Sequence, residues 1–177
     1  MQTKLHLVLD PKCYIQSLTY MFINKEECAV SDTSVLLVHK CNEIFPEEFV
    51  DSIPEGDWLI PYEAVKKMNT KGATYLIKSD QILITIKGAV TMFPITKNGT
   101  DGLRYPQFKQ VIPTEYNGQL NSICLNPELL LNLAQAIDPD YVGVILKWSD
   151  GEHAMSVRAK NSIAKNYKAI LMPMKVM

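Results

Sequence analysis

The 177-residue chain carries 18 Lys plus Arg against 19 Asp plus Glu, a formal charge of −1, with 47% hydrophobic and 21% charged residues. That is the composition of a folded globular protein, which excludes wholesale disorder. It also excludes a polybasic protein, so any nucleic-acid contact needs cations gathered on one face. No apolar run approaches the roughly 18–20 residues of a membrane span. The patch Leu5–Leu9, interrupted by His6, is too short for a signal-peptide core. The chain is expected in the cytoplasm, with no membrane partner.

In chain order, Leu5-His6-Leu7-Val8-Leu9 reads as a first strand ended by the turn-forming pair Asp10-Pro11. Tyr14 to Ile23 is aromatic and β-branched enough for a second strand. Cys28-Ala29-Val30 and Val35-Leu36-Leu37-Val38-His39 are strands around the polar turn Ser31-Asp32-Thr33-Ser34. Residues 42–57 hold two prolines and Glu43, Glu47, Glu48, Asp51, Glu55 and Asp57 with no basic residue. They read as an acidic connector with one short helical turn around Glu47 to Val50.

Two later stretches share a pattern. Trp58-Leu59-Ile60 is a strand, Pro61 opens a helix through Ala64, Val65 and Met68 to Gly72, and three strands follow at 74–78, 82–86 and 89–95. Ser122 to Leu125 is again a strand, with Asn126 as N-cap and Pro127 at the first helical position. Leu130, Leu133, Ala134 and Ile137 make one apolar helix face, and strands follow at 141–147, 153–158 and 167–174. The fold class is α+β, built from repeats of strand–helix–three strands with antiparallel sheets and two main helices. Its organisation is a helix-poor half-domain plus acidic connector at 1–57, a half-domain at 58–113 and another at 114–177.

The residues offer little chemistry. His6, His39 and His153 sit in separate strands, without metal-ligand spacing. No GxGxxG or GxxxxGK[ST] loop is present, so a phosphate-cradling nucleotide site has no support. Ser162-Ile163-Ala164-Lys165 matches an SxxK pattern without companion motifs, and Asn98-Gly99-Thr100 reads as a turn. The carboxylate pairs Asp138/Asp140 and Glu47/Glu48 read as a helix end and a solvated face. Cys13, Cys28, Cys41 and Cys124 lack a CxxC pair and read as reduced, partly buried thiols. No catalytic residue, metal or cofactor is expected; an unrelated α+β enzyme stands as a distant third reading.

Arg104-Tyr105-Pro106-Gln107-Phe108-Lys109-Gln110-Val111-Ile112-Pro113 resembles the segment that leads from the middle to the last domain of bacterial DNA sliding clamps, the beta subunit of DNA polymerase III. Trp58-Leu59-Ile60-Pro61 is similar to that family's strand–helix start. Val30 to Val38 is similar to its Ala-Thr-Asp-Gly-His-Arg-Leu turn, with Thr33, Ser34 and Val35 standing at the Gly, His and Arg. Ile123 to Leu130 resembles the helix start of the last domain, and Ala169 to Val176 its Met-Pro-Met ending. Clamp subunits are longer, so the resemblance is to a truncated and divergent relative.

The resemblance implies a non-catalytic protein that tethers or recruits replication and repair factors to DNA. It implies a hydrophobic pocket for short linear motifs of polymerases, clamp loaders and repair proteins, made by Ser31, Thr33, Ser34, Leu36, Pro113, Met172, Pro173, Met174 and Lys175. Flexible, polarizable methionines suit varied apolar anchors; alternatively, Met172 and Met174 are one face of a core strand. Lys66, Lys67 and Lys71 are the candidate contacts to duplex DNA, or simply a solvated helix face, while the second helix has Glu128 and no Lys or Arg. Family rings hold twelve half-domains, so a homo-oligomeric ring needs six chains at two each or four at three. The alternative is a clamp-fold interaction module that binds such motifs, or competes with a replicative clamp, without encircling DNA.

Overall fold

The computed structural model describes residues 4–112, 124–138, 143–148, 153–160 and 167–174. Strands β1 (Tyr20–Ile23), β2 (Glu27–Ser31) and β3 (Val35–Lys40) are followed by short helices α1 (Cys41–Ile44) and α2 (Glu47–Ser52). Next come β4 (Trp58–Pro61), α3 (Tyr62–Met68), β5 (Thr74–Lys78), β6 (Gln81–Ile86), β7 (Ala89–Pro94) and β8 (Thr96–Lys97). Helix α4 (Pro127–Ile137) precedes β9 (Val144–Lys147), β10 (Met155–Ala159) and β11 (Tyr167–Leu171). Eight strands form one antiparallel sheet in the order β8-β4-β1-β2-β3-β11-β10-β9, and β5-β6-β7 form a second. The α+β class with antiparallel sheets stands as expected.

Strand β11 adds to the free edge of β3, with Ile170 opposite Leu36 and Leu171 opposite Val35. This joins the C-terminal hairpins to the first strands of the chain. Residues Val35 to His39 are all buried, because β3 lies centrally and is covered on both faces. One face packs Met21, Ile23, Val30, Leu37, Val157 and Ala169 against Val65 and Met68 of α3 and Leu133 and Ile137 of α4. The other packs Phe22, Ala29, Leu36, Val38, Leu59 and Ile170 under Leu103, Tyr105 and Phe108 of the connecting segment.

Four expectations change. Leu5–Leu7 is a 3-10 turn against α3 and α4, not a strand. Buried Leu5, Val8 and Leu9 fall at i, i+3 and i+4, a helical spacing. Only Tyr20–Ile23 of the second expected strand pairs, because Gln16–Thr19 forms a 3-10 turn. The acidic connector holds the expected helical turn at Glu47, which is α2, and a second helix, α1; Phe49 and Ile53 are fully buried while Glu47, Glu48 and Asp51 are exposed. Phe45, Phe49 and Tyr75 meet edge to face, and the Ser52 hydroxyl accepts from the Ile77 N–H at 2.9 Å, tying α2 to β5. Helix α3 stops at Met68, so Lys71 lies beyond it, in the turn to Gly72 at φ +78°.

Other boundaries follow their local chemistry. The Asn126 side chain accepts from the N–H groups of Glu128 and Leu129, with Pro127 at the first position of α4. Lys87 and Gly88 both have positive φ, the two-residue turn that matches strand twist in the β6–β7 hairpin. Residues 162–165 and Asp140 lie outside the described residues, as do Ser122 and Ile123 of the expected strand. Cys124 makes an isolated bridge to Met174. All four cysteines are free, Cys28 and Cys41 being buried.

Candidate docking groove

The turn between β2 and β3 is built by its own polar side chains. Asp32 Oδ1 accepts from the N–H groups of Ser34 at 2.9 Å and Val35 at 2.8 Å, and Ser31 Oγ donates to the Val35 carbonyl at 2.7 Å. These bonds hold Thr33 at φ +87°, where a β-branched residue is strained and glycine is not. Thr33 meets this left-handed geometry at a cost that glycine would not bear.

Strand β11 delivers Met172 to this turn, and its N–H donates to the Ser34 carbonyl at 2.8 Å. Strand alternation sets Ser31, Leu36 and Ile170 on the same sheet face, opposite α3 and α4. The connecting segment makes the facing wall. Phe108 lies 5.2 Å from Phe22 and 6.0 Å from Tyr105, while Tyr105 lies 5.6 Å from Phe22. The Tyr105 hydroxyl donates to the Ala29 carbonyl at 3.3 Å, and its buried position pushes its pKa upward. The tyrosine acts as a neutral anchor for the wall.

Between these walls lies an open groove of about 380 Å³. Its third side is Tyr14, Ile15 and Leu18, leading into the 3-10 turn Gln16–Thr19. No charged side chain lines it among the described residues. Tyr14 is 87% exposed, Val111 50% and Met172 40%, so large apolar groups stand open to solvent around a deeper floor of Leu18, Leu36 and Ile170. Such a surface takes apolar side chains, with Ser31, Thr33 and Ser34 as polar partners on its rim.

Of the pocket residues expected from sequence, Ser31, Thr33, Ser34, Leu36 and Met172 line one groove. Pro173 and Met174 do not line it; Met174 is half-exposed and its N–H donates to the Cys124 carbonyl at 2.8 Å. Pro113 and Lys175 lie outside the described residues. The sequence reading missed Tyr14, Ile15, Leu18, Val35, Tyr105, Pro106, Gln107, Phe108, Val111 and Ile170 as lining residues. Tyr105, Phe108 and Val111 belong to the stretch already singled out for its resemblance, and Ile170 to the C-terminal one, whereas Tyr14, Ile15 and Leu18 carried no such signal.

The lysines are on the opposite face of the sheet. Lys66 is exposed on α3 with its ammonium 5.8 Å from the Tyr62 ring centroid. Lys67 is half-buried, 5.4 Å from the Phe93 ring centroid, and donates to Thr91 Oγ1 at 3.2 Å. Lys71 is exposed beyond the helix end. Burial lowers the pKa of His6, helped by the positive charges of Lys66 and Lys4. Helix α4 carries Glu128 and no cation. The structure therefore does not gather Lys66, Lys67 and Lys71 into one free cationic row. Among the described residues no group of three His, Cys, Asp or Glu is placed to hold a metal, and no helix is long and apolar enough to cross a membrane.

No protein-family model and no curated protein matches the sequence. Solved structures do match its fold. The DNA polymerase sliding clamp of Caulobacter crescentus superposes with a TM-score of 0.68 at 14% identity, over 98% of this chain and 63% of that one. The DNA polymerase III beta subunit of Thermotoga maritima gives 0.67 at 12% identity, over 99% and 63%. The Helicobacter pylori beta clamp bound to a DNA ligase peptide gives 0.66 at 12% identity, over 98% and 62%. The chain thus spans less than two thirds of the length of these clamps. It has the fold of the bacterial DNA polymerase III beta sliding clamps.

Proposed function

We propose that this chain is a non-catalytic docking protein of the sliding-clamp fold, which recruits DNA replication or repair proteins by taking a short apolar segment of each into the groove. The observation that carries this reading is the groove itself: uncharged among its described lining residues, apolar at its floor, and assembled from the Ser31–Leu36 turn, the connecting segment and Met172. The likeness to a Helicobacter clamp that binds a DNA ligase peptide supports a peptide as occupant. The site of action is the cytoplasm, and the partners are polymerase, clamp-loader or repair proteins. Fluorescence anisotropy with that DNA ligase peptide, labelled, tests it. Saturable binding that Met172→Ala weakens is expected; binding indifferent to Met172 overturns the reading.

A second reading, tethering on duplex DNA, draws on exposed Lys66 and Lys71 on the helix side of the sheet. It requires a ring, so light scattering at modest salt decides between the two. A tetramer or hexamer favours encirclement of DNA, and a monomer or dimer leaves the docking module alone.

A further inference from the structure

On the same sheet face as the groove, strand alternation aims Lys147 of β9, Arg158 of β10 and Lys168 of β11 outward, while Val157 and Ala169 point to the core. Val157 is opposite Ala169, so one further step of that register sets Arg158 beside Lys168. Like charges placed directly across a sheet are destabilising, and a bound anion relieves them. With Lys109 they line a trough of about 500 Å³ that contains no Asp or Glu among its described lining residues. Lys109 is ion-paired with Glu27, whereas Lys147, Arg158 and Lys168 make no ion pair among the described residues.

The trough adjoins the apolar groove. Ile170 lines both, and the 3-10 turn Phe108–Val111 turns Phe108 and Val111 to the groove but Lys109 to the trough. We infer that this face takes a peptide with acidic residues next to its apolar anchors, the anchors in the groove and the carboxylates on Lys147, Arg158 and Lys168. The inference rests on the docking reading above and adds the charge of the partner. Nucleic acid is the less favoured occupant, because phosphates would fill the trough and leave the adjoining apolar floor unused.

The test uses a labelled synthetic peptide with Leu and Phe anchors, extended at either end by Gly-Ser, by three Glu or by three Lys. Anisotropy titrations at low and high salt are run on the native protein, on the variant Lys147→Glu/Arg158→Glu/Lys168→Glu, and on the milder Arg158→Gln/Lys168→Gln. The Glu extension at one end should tighten binding about tenfold at low salt, as three solvent-exposed ion pairs allow. Both variants should lose that gain, retain the affinity for the Gly-Ser peptide and melt cooperatively.

Equal affinity for Glu- and Gly-Ser-extended peptides overturns the inference while leaving the docking reading in place. Failure of every peptide to bind overturns both. Duplex DNA that binds the native protein and not the two variants, with no gain from Glu, reassigns the trough to nucleic acid and also overturns the inference.

Discussion

The backbone N–H of Met172 donates to the carbonyl oxygen of Ser34 at 2.8 Å, joining two segments far apart in the chain. The bond continues the β3–β11 ladder one step beyond Leu171 opposite Val35. It brings Met172 to the Ser31–Leu36 turn, where it closes one side of the groove.

Met172→Ala should therefore weaken binding of an apolar peptide by about tenfold, the loss of one anchor contact of roughly 1–2 kcal/mol. Met174→Ala should change affinity much less, because Met174 does not line the groove. Both are partly exposed, so thermal unfolding should stay cooperative. Equal losses from the two variants would show that the peptide lies elsewhere.

Thr33→Gly should stabilise the protein. Relief of the left-handed backbone at φ +87° is worth about 1–2 kcal/mol. The greater freedom of glycine in the unfolded chain offsets roughly 0.5–1 kcal/mol of it. A net gain of about 0.5–1 kcal/mol should appear as a higher urea midpoint with unchanged slope. A lower midpoint would mean that the threonine side chain makes up for its strain.

His39 gives the fold a dependence on pH. It is buried on β3 beside Tyr167, with neither ring nitrogen hydrogen-bonded, and burial pushes its pKa down to about 4 from the ordinary 6.5. Below pH 6.5 the unfolded chain takes up a proton that the folded chain refuses. Stability is therefore complete above that pH and falls by about 3 kcal/mol as pH drops to 4. His39→Phe should flatten this part of the curve in urea titrations from neutral to acid pH. An undiminished slope in the variant would assign the acid sensitivity to other groups.

Tyr105→Phe removes one buried hydrogen bond to the Ala29 carbonyl and keeps the ring against Phe22 and Phe108. A loss of about 1 kcal/mol is expected, with peptide affinity nearly unchanged. Tyr105→Ala should cost about 3–5 kcal/mol and weaken peptide binding, because the connecting segment loses its anchor. Similar effects of both variants on affinity would give the hydroxyl a direct part in binding.

If duplex DNA is bound on the helix side, Lys66→Glu with Lys71→Glu should lower the salt slope of binding by roughly two phosphate contacts. Lys67→Glu should act on folding instead, since Lys67 packs on Phe93 and bonds to Thr91. Unchanged slopes would remove this face from DNA contact.

Much of the fold was legible because it is locally encoded. Asn126-Pro127 with the apolar spacing of Leu133, Ala134 and Ile137 marks the start and the buried face of α4 locally. The hairpins β5–β6–β7 follow from apolar runs separated by two-residue turns at Ser79-Asp80 and Lys87-Gly88. The helical turn around Glu47 to Val50 was legible and is the first part of α2, whereas α1 was obscured because four residues are too few to show a period, and only the packing of Phe49 and Ile53 reveals the buried side of the connector. Five groove residues were reachable through the resemblance of the turn and the C-terminal segment. Tyr14, Ile15 and Leu18 were not, because a strand reading spreads them over two sheet faces, whereas the 3-10 turn turns Leu18 inward beside them.

By itself the sequence determined most of the strands, the two main helices, the caps and turns that bound them, and the absence of nucleotide and metal motifs. Each depends on neighbours within a few residues, where steric and hydrogen-bonding preferences act directly. Only the tertiary structure decided that β11 completes the sheet on β3, that the connecting segment crosses the face opposite the helices, and that Lys147, Arg158 and Lys168 share that face beside the groove. Those choices rest on which strand edges and apolar faces complement one another across long separations. No local pattern carries that information, because a strand's own residues set its two faces but not the neighbour it pairs with.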